Sequence, residues 1–429
     1  MIIENFNKTK KKDAKLHLPY DLNGVEEFCS PIGNSLSYNE SSVHNDVIKS
    51  TLHNKSIFID LKNLTVDVSA GVTIKQLINH LRKYGLFPYV VPGTSQVTIG
   101  GAVSNNIHGK NQISDGLFCD HVESIKVIDK DGKCSTITKS NPLFQALCGG
   151  IGTIAYISEV RIKVRKLPSD FFNVSKVISK DLSETLNLIS DCSDSVAWID
   201  MSARNKRLGR GVVMSYTYSD DTNREVIRDP LVKIPKNQKL PFINPVTSFL
   251  FCRIKYIKDY LLSLINKTKK MHFSSYLFPL DKINGWNNLY GKFGFYQFQA
   301  LIPYDCSKEI IEKLITHFQK DYLFSPIVVI KEMKKSNTGH LSFSGNGYTI
   351  CFDLPKFNPL SKTLTENSIL EAYEITTNAG GLIYLAKDEL MDSKTFTKMY
   401  KNAEKQKNAI LKFNKTKKIF TAQAFRYGL

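Results

Sequence analysis

Residues 92–111, PGTSQVTIGGAVSNNIHGKN, gather Gly93, Gly100, Gly101 and Gly109 with Thr94, Thr98, Ser104, Asn105 and Asn106 in one short segment. Glycine lets a ligand approach the backbone and tolerates positive φ. Small hydroxyl and amide groups beside bare N–H donors can cradle a pyrophosphate. The segment closes on His108-Gly109-Lys110, which sets two basic side chains on one turn. That combination suits a bound dinucleotide whose reactive ring needs positive charge nearby. The competing reading is a Gly-rich turn between two strands. No G-x-x-x-x-G-K-[ST] is present, and no G-x-G-x-x-G follows a strand, so neither the P-loop nor the Rossmann mode of binding is implied.

The elements that must position this segment are legible around it. SIFIDLKNLTVDV (56–68) alternates apolar and polar residues and predicts strands. Thr73 with Gln76 makes a capping box, Ile74, Leu77, Ile78 and Leu81 share a helical stripe, and Gly85 stops the helix. VESIKVIDKDGKCSTIT predicts a β-hairpin turning at Lys130-Asp131-Gly132. A short helix over 141–147 and a strand within GGIGTIAYISEVRIKVRKL close an α+β unit near Leu167. Beyond it, SKEIIEKLITHF predicts an amphipathic helix with Ile310, Ile311, Leu314 and Ile315 on one stripe. FGFYQFQALIP (293–303) and GYTICFDLP (347–355) alternate strictly and predict strands of one sheet.

Bulk properties bound the function. A chain of 429 residues implies two domains. Lys+Arg of 58 against Asp+Glu of 40 gives a net charge of +18, which favours anionic partners. No nucleic-acid-binding module accompanies the charge, so nucleic acid is set aside. The eight cysteines show no C-x-x-C and no zinc spacing, and no secretory signal or apolar run of membrane-spanning length is present. Reduced thiols, no metal and a cytoplasmic setting are the expectation. The basic insert 233–271 interleaves Phe249, Phe251, Tyr256 and Tyr260 with Arg253, Lys255 and Lys258. It reads either as an interfacial helix touching anionic lipid or, the preferred reading, as an ordinary amphipathic helix covering the second domain.

The Gly-rich segment, GGIGTIAYISEVRI and the late GGLIYLAKD, with FPLDKINGWNNLYG, YQFQALIP and GYTICFDLP between them in order, resemble the flavin oxidoreductases of the vanillyl-alcohol-oxidase type, which carry a PCMH-type FAD-binding domain. The likeness runs from about Gly33 to the C-terminus. It implies an FAD-binding domain built from both chain ends (1–169, with 382–429 returning to it) and an antiparallel-sheet substrate domain with flanking helices (170–381). It implies that FAD, held non-covalently, runs along Gly93, Thr94, Thr98, Ile99, Gly100 and Gly101 and then Asn105, Asn106, Ile107 and His108. Gly33 and Ser35 lie in the loop SPIGNSLSYN (30–39), which keeps little else of the family's Arg-Gly-rich run. Ile157 matches a position on the adenine side, and Tyr384 and Lys387 match positions beside the flavin. Lys110, Gln297, Gln299, Lys331, Cys351 and Lys387, with His108, match the substrate side. Leu277 stands where the family has an aromatic hydroxyl.

The reaction implied is oxidation of a sugar's secondary alcohol, most specifically the C2 hydroxyl of a pentose on a polyprenyl phosphate, with a short-chain reductase completing an epimerisation. An aldonolactone oxidase and a non-catalytic flavoprotein are the alternatives. A fixed Lys387 suits the negative charge that reduction places on a flavin. His108, with an ordinary pKa of about 6.5, is the candidate base and Lys387 its rival. Lys110 is placed to pair with a phosphate. Cys351, mid-strand, reads as a small hydrophobe on the pocket wall rather than a nucleophile.

Overall fold

The β-branched alternation of residues 56–68 becomes the antiparallel pair Ile57–Asp60 and Thr65–Ser69, with Ile59 opposite Val66. This is a computed structural model, and it describes residues 1–429 apart from 54, 228, 231, 237, 239, 240, 357 and 358. The helix Ile74–Leu81 begins where expected. Thr73 Oγ1 accepts from Gln76 N at 3.2 Å, and the Gln76 side chain accepts from Thr73 N at 3.0 Å. Its Ile74, Leu77, Ile78 and Leu81 are buried, and the chain leaves through a single 3-10 turn to Gly85 at φ +67°. The strand Tyr156–Lys166 lies between Thr65–Ser69 and Val122–Ile128, and its far end pairs with Leu86–Pro88. The outer edge is the predicted hairpin partner Cys134–Thr138, reached through Gly132 at φ +80°.

A second sheet has eight strands, all antiparallel, in the order Thr268–His272, Phe171–Ser179, Gly211–Tyr218, Val196–Ile199, Val328–Met333, Gly347–Pro355, Phe295–Pro303 and Leu382–Ile383. The strand Gly347–Pro355 is buried at every position although its sequence alternates in polarity. Both of its faces are covered, by different things. Phe298 and Phe352 pack under the helices Ser307–Lys320 and Pro359–Asn378, with Phe318 at 4.9 Å from Phe352 and Tyr373 at 5.9 Å from Phe298. The opposite face carries Gln297, Gln299, Lys331 and Cys351 towards a cleft. The period of two therefore separates a helix-packed face from a cleft face, not core from solvent.

The chain's end returns to its beginning. Cys29 N donates to Lys418 O at 2.7 Å and Phe420 N to Cys29 O at 3.1 Å. Gln406 Nε2 donates to Ala146 O at 3.1 Å, and Asn414 Nδ2 to Thr153 O at 2.9 Å. Three residues of the basic insert, 237, 239 and 240, lie outside the described residues. The insert's main element is the helix Pro245–Ile265, capped by Asn244, which accepts from Thr247 N at 3.1 Å. It crosses the strands Phe171–Ser179 and Gly211–Tyr218. Against the preferred expectation, its buried residues are Ser248, Cys252 and Asp259, while its aliphatic residues face outward. Among the described residues, no helix is long and apolar enough to cross a membrane.

Candidate active site

The Gly-rich segment folds into a loop and the six-residue helix Ile99–Ser104. Thr98 Oγ1 caps it, accepting from Gly101 N at 3.3 Å. Gly100 N donates to Ala70 O and Ala70 N to Ser158 O, at 2.9 and 2.8 Å, which lays the helix beside Ile157 on the central strand. A Cβ on Gly100 would stand 3.1 Å from Ala70 Cβ, and one on Gly33 would meet Thr98 Oγ1 at 2.3 Å. Small residues at both positions thus let the loop 30–39 close onto the helix. Ser35 holds φ +54° there, and Asn34 Nδ2 donates to Gln96 O at 2.8 Å. The N–H groups of Ile99, Gly100 and Gly101 are spent within the protein. Those of Gly93 and Thr94 have no partner among the described residues, and a Cβ on Gly93 would meet nothing within 4 Å. The donors left for an anion therefore sit at the start of the segment, not at its Gly-Gly centre.

Gly33, Ser35, Gly93, Thr98, Gly100 and Gly101 line one side of a cleft of about 1600 Å³, which continues past Asn105, Ile107 and His108 to the face of the second sheet. Thr94, Ile157 and Tyr384 also reach it, as do all the substrate-side candidates. Ile99 and Asn106 do not. Ile99 is fully buried in the core, and Asn106, at φ +37°, spends its amide on Thr338 O, Ser342 Oγ and Cys119 N. Leu277 is buried away from the cleft, and its neighbour Tyr276 offers its carbonyl to Lys110 Nζ, which also lies 4.4 Å from the Tyr276 ring centroid.

The sheet side of the cleft is basic. Lys331 Nζ donates to Gly109 O at 2.6 Å and meets His108 Nδ1. His108 Nε2 is 3.3 Å from the Gln299 amide. Burial, then the charges of Lys331 and Lys387, holds His108 well below its ordinary pKa, so the imidazole is neutral. Burial, then Lys387 and Lys110, pulls Lys331 well down, and burial alone brings Lys110 to about 7. Lys387 Nζ lies 3.5 Å from Cys351 Sγ. Burial lifts the Cys351 thiol to about 11, so it stays protonated and un-nucleophilic at neutral pH.

Lys387 is held through its neighbour. Asp388 is buried and accepts from Tyr373, from Tyr427 at 2.6 Å and from Arg426 at 2.8 Å. Burial alone would raise its carboxyl; the Arg426 charge and these hydrogen bonds keep it below the usual carboxylate range. Arg426 also binds Glu40 at 2.6 Å, so the turn carrying Tyr384 and Lys387 is pinned to the N-terminal loop and to the last helix together. Tyr384 stacks on Phe343 at 4.8 Å and stands 5.0 Å from the His108 ring.

Two candidate residues escaped the sequence. Asp353 sits two residues beyond Cys351 on the same strand face, fully buried, accepting from Gln297 and from Tyr290 at 3.3 Å. Burial lifts its carboxyl to about 6 against the pull of Gln297 and Lys387. Extending the alternation from Cys351 by one step would have found it. Tyr38, whose ring lies 6.0 Å from Lys387 Nζ, comes from the loop 30–39, where no periodicity pointed to it.

Comparison with known proteins gives the family. Residues 29–138 match the family model of the FAD binding domain. The chain is 31% identical over 385 residues to the decaprenylphosphoryl-beta-D-ribose oxidase of Mycolicibacterium smegmatis, covering 86% of this chain and 82% of that one. It is 27% identical over 135 residues to a D-lactate dehydrogenase of Anaerostipes hadrus, 30% of this chain and 28% of the other. A putative D-arabinono-1,4-lactone oxidase of Neurospora crassa is 30% identical over 131 residues, 30% of this chain and 23% of the other. The protein is thus a flavin enzyme, an FAD-dependent oxidoreductase. It belongs to the PCMH-type FAD oxidoreductase family that includes the mycobacterial ribose oxidase. The cleft fits that cofactor. It exceeds the roughly 300–1,000 Å³ of a drug-sized ligand site, it offers unpartnered donors at Gly93 and Thr94, and it leaves Gln297 Oε1 and Gln299 Oε1 buried without partners on its other wall.

Proposed function

We propose that this enzyme oxidises the C2 hydroxyl of a pentose carried on a polyprenyl phosphate, leaving a ketone that a short-chain reductase reduces to complete an epimerisation. The observation that carries the reading is the convergence of Lys110, Lys331, Lys387 and His108 on one cleft wall beside two unpartnered glutamine oxygens. A phosphorylated sugar offers anionic oxygens and hydroxyl donors that match those groups. The relative of known name that covers most of this chain is an oxidase of a decaprenylphosphoryl ribose. FAD lies along Gly33, Ser35, Gly93, Thr94, Thr98, Gly100 and Gly101, with Asn105, Ile107 and His108 further along and Ile157 near the adenine. Residues 1–169 with 382–429 form the cofactor unit, and 170–381 form the substrate unit.

When bound, FAD supplies the acceptor for the hydride lost by the alcohol carbon. Lys387 binds the hydroxyl oxygen and offsets the negative charge that builds up there as its proton leaves. His108, neutral at pH 7 and carrying its ring proton on Nδ1 against the lone pair that burial favours on Lys331 Nζ, takes the hydroxyl proton at Nε2. Gln297 and Gln299 accept from neighbouring sugar hydroxyls, which sets the C2 hydrogen in place. Lys110 pairs with the phosphate, whose charge restores the proton that burial weakens.

The test is anaerobic titration of the purified holoprotein, followed by visible absorption. A polyprenyl-phosphoryl pentose is expected to bleach the flavin bands. Bleaching by an aldonolactone and not by the lipid-linked pentose would replace this substrate with the lactone.

A further inference from the structure

The helix Pro245–Ile265 is built inside out. Its protein-facing side is Ser248, Cys252, Lys255, Tyr256, Asp259 and Ser263, joined at one end by Phe249. Val246, Leu250, Ile254, Ile257, Leu261 and Leu264, spaced by three or four residues, form one continuous stripe that points away. Ile254 is 66% and Leu264 68% exposed, with Leu250, Ile257 and Leu261 all about half exposed or more. Six adjoining aliphatic side chains facing water cost free energy on the order of 1.5–3 kcal/mol each relative to burial. A contiguous apolar patch of this kind marks a contact surface, whereas a scattered exposed leucine does not.

The charges around the stripe name its partner. From 245 to 272 the chain carries Arg253, Lys255, Lys258, Lys267, Lys269 and Lys270 but a single carboxylate, Asp259. Asp259 faces inward and is neutralised by Lys255 at 2.5 Å and Lys176 at 3.2 Å. Arg253 and Lys258 flank the stripe on opposite sides of the helix, and Lys267 and Lys269 lie exposed just past its end. An apolar face edged by cations and free of anions complements an anionic lipid surface, with the aliphatic groups at the acyl boundary and the ammonium groups at the phosphates. A second copy of this chain would instead set those cations against each other.

We propose that the helix Pro245–Ile265 lies in the surface of an anionic bilayer and holds the enzyme there. The docking rests on the helix alone and not on the identity of the sugar. The same helix flanks the catalytic cleft, which Phe251 and Lys255 help to line. Docking therefore brings one rim of the cleft to the membrane.

The test is flotation of the FAD-loaded protein with vesicles of phosphatidylcholine alone or with phosphatidylglycerol at about one part in three. Wild type is expected to float with the anionic vesicles and at least tenfold less with the neutral ones. The variant I254E/I257E/L261E is expected to lose binding while keeping its flavin spectrum and melting temperature, since all three side chains are more than half exposed. K258E should weaken binding without abolishing it. Failure of wild type to float with anionic vesicles overturns the proposal, and so does a triple variant that floats as well as wild type. Light scattering that shows a wild-type dimer dissociating in the triple variant overturns it in favour of a second copy. Flotation reads out membrane contact whether or not the lipid-linked pentose is the substrate.

Discussion

Replacing Lys387 by Met removes the cation that the proposed chemistry leans on, with little change in volume. Its Nζ stands 3.5 Å from Cys351 Sγ and 6.0 Å from the Tyr38 centroid, and its charge reaches the buried carboxyl of Asp353. At an effective dielectric near 20, a unit charge about 4 Å from a developing opposite charge is worth roughly 4 kcal/mol. Loss of one preorganised donor typically costs about 2.7–4 kcal/mol, or 10²–10³ in rate. The flavin reduction rate of K387M is therefore expected to fall about 10²- to 10³-fold while FAD stays bound. The charge also helps to depress His108 and Lys331 and to hold Asp353 down. Without it His108 regains basicity, so its neutral form appears only at higher pH and the acid limb of the rate profile moves up. Stopped-flow reduction under anaerobic conditions, measured from pH 5 to 9, reads both effects. A K387M rate within threefold of wild type at saturating substrate, with an unshifted profile, would refute the role assigned to this lysine.

Three further outcomes follow from the same structure. Arg82→Met removes one of the two cations on the carboxylate of Asp170, which is fully buried and joins the helix Ile74–Leu81 region to the strand Phe171–Ser179. Arg224 at 3.3 Å and Glu225 N at 2.6 Å still serve Asp170, so the loss in urea unfolding is expected at about 3 kcal/mol, the low end for a broken buried pair; less than about 1 kcal/mol would contradict it. Gly93→Val adds a side chain where a Cβ meets nothing, so the protein without FAD should melt within about 0.5 kcal/mol of wild type while FAD affinity drops; unchanged affinity would remove Gly93 from the cofactor path. Lys110, pushed down to about 7 by burial, binds its proton less readily folded than unfolded. The unfolded chain thus holds more protons between pH 7 and about 10, and stability without an anionic ligand rises with pH across that window. K110M should flatten part of that rise, measured by denaturant titration at pH 7, 8 and 9. An unchanged slope would show that Lys110 is not desolvated.

Local chemistry was written plainly in the chain. The capping box at Thr73 and Gln76, the hairpin turning at Gly132 and the helix with Ile311, Leu314 and Ile315 depend on neighbours within a few residues, so the sequence carries them. The Gly-rich segment was legible as a wall of the cleft for the same reason: its glycines, hydroxyls and His108-Gly109-Lys110 are contiguous. Which of its atoms stay free to face the cleft was not. Ile99 and Gly100 give their N–H groups to Val72 and Ala70, and Asn106 turns to Ser342, because of packing against residues far away in the chain.

The site and the outer helix show where sequence pattern stops. Alternation in GYTICFDLP fixes which residues share a face, but both faces of that strand are buried. Only the helices on one side and the cleft on the other decide that Cys351 faces the cleft while Phe352 faces the core. Lys331 reaches His108 across 223 positions, and Arg426 reaches Glu40 across 386. In 245–265 the sequence determined an amphipathic helix but not which side would meet the protein. The tertiary structure turned Ser248, Cys252 and Asp259 inward, where Lys176 pairs with Asp259 and Ser325 O accepts from Cys252, and left the aliphatic stripe outside. By itself, the sequence determined periodicity, caps, turns and the chemistry of each short segment, since these arise from interactions a few residues long. Only the tertiary structure decided which groups meet, which are desolvated and which surface remains open, because those depend on contacts between segments that the linear chain does not order.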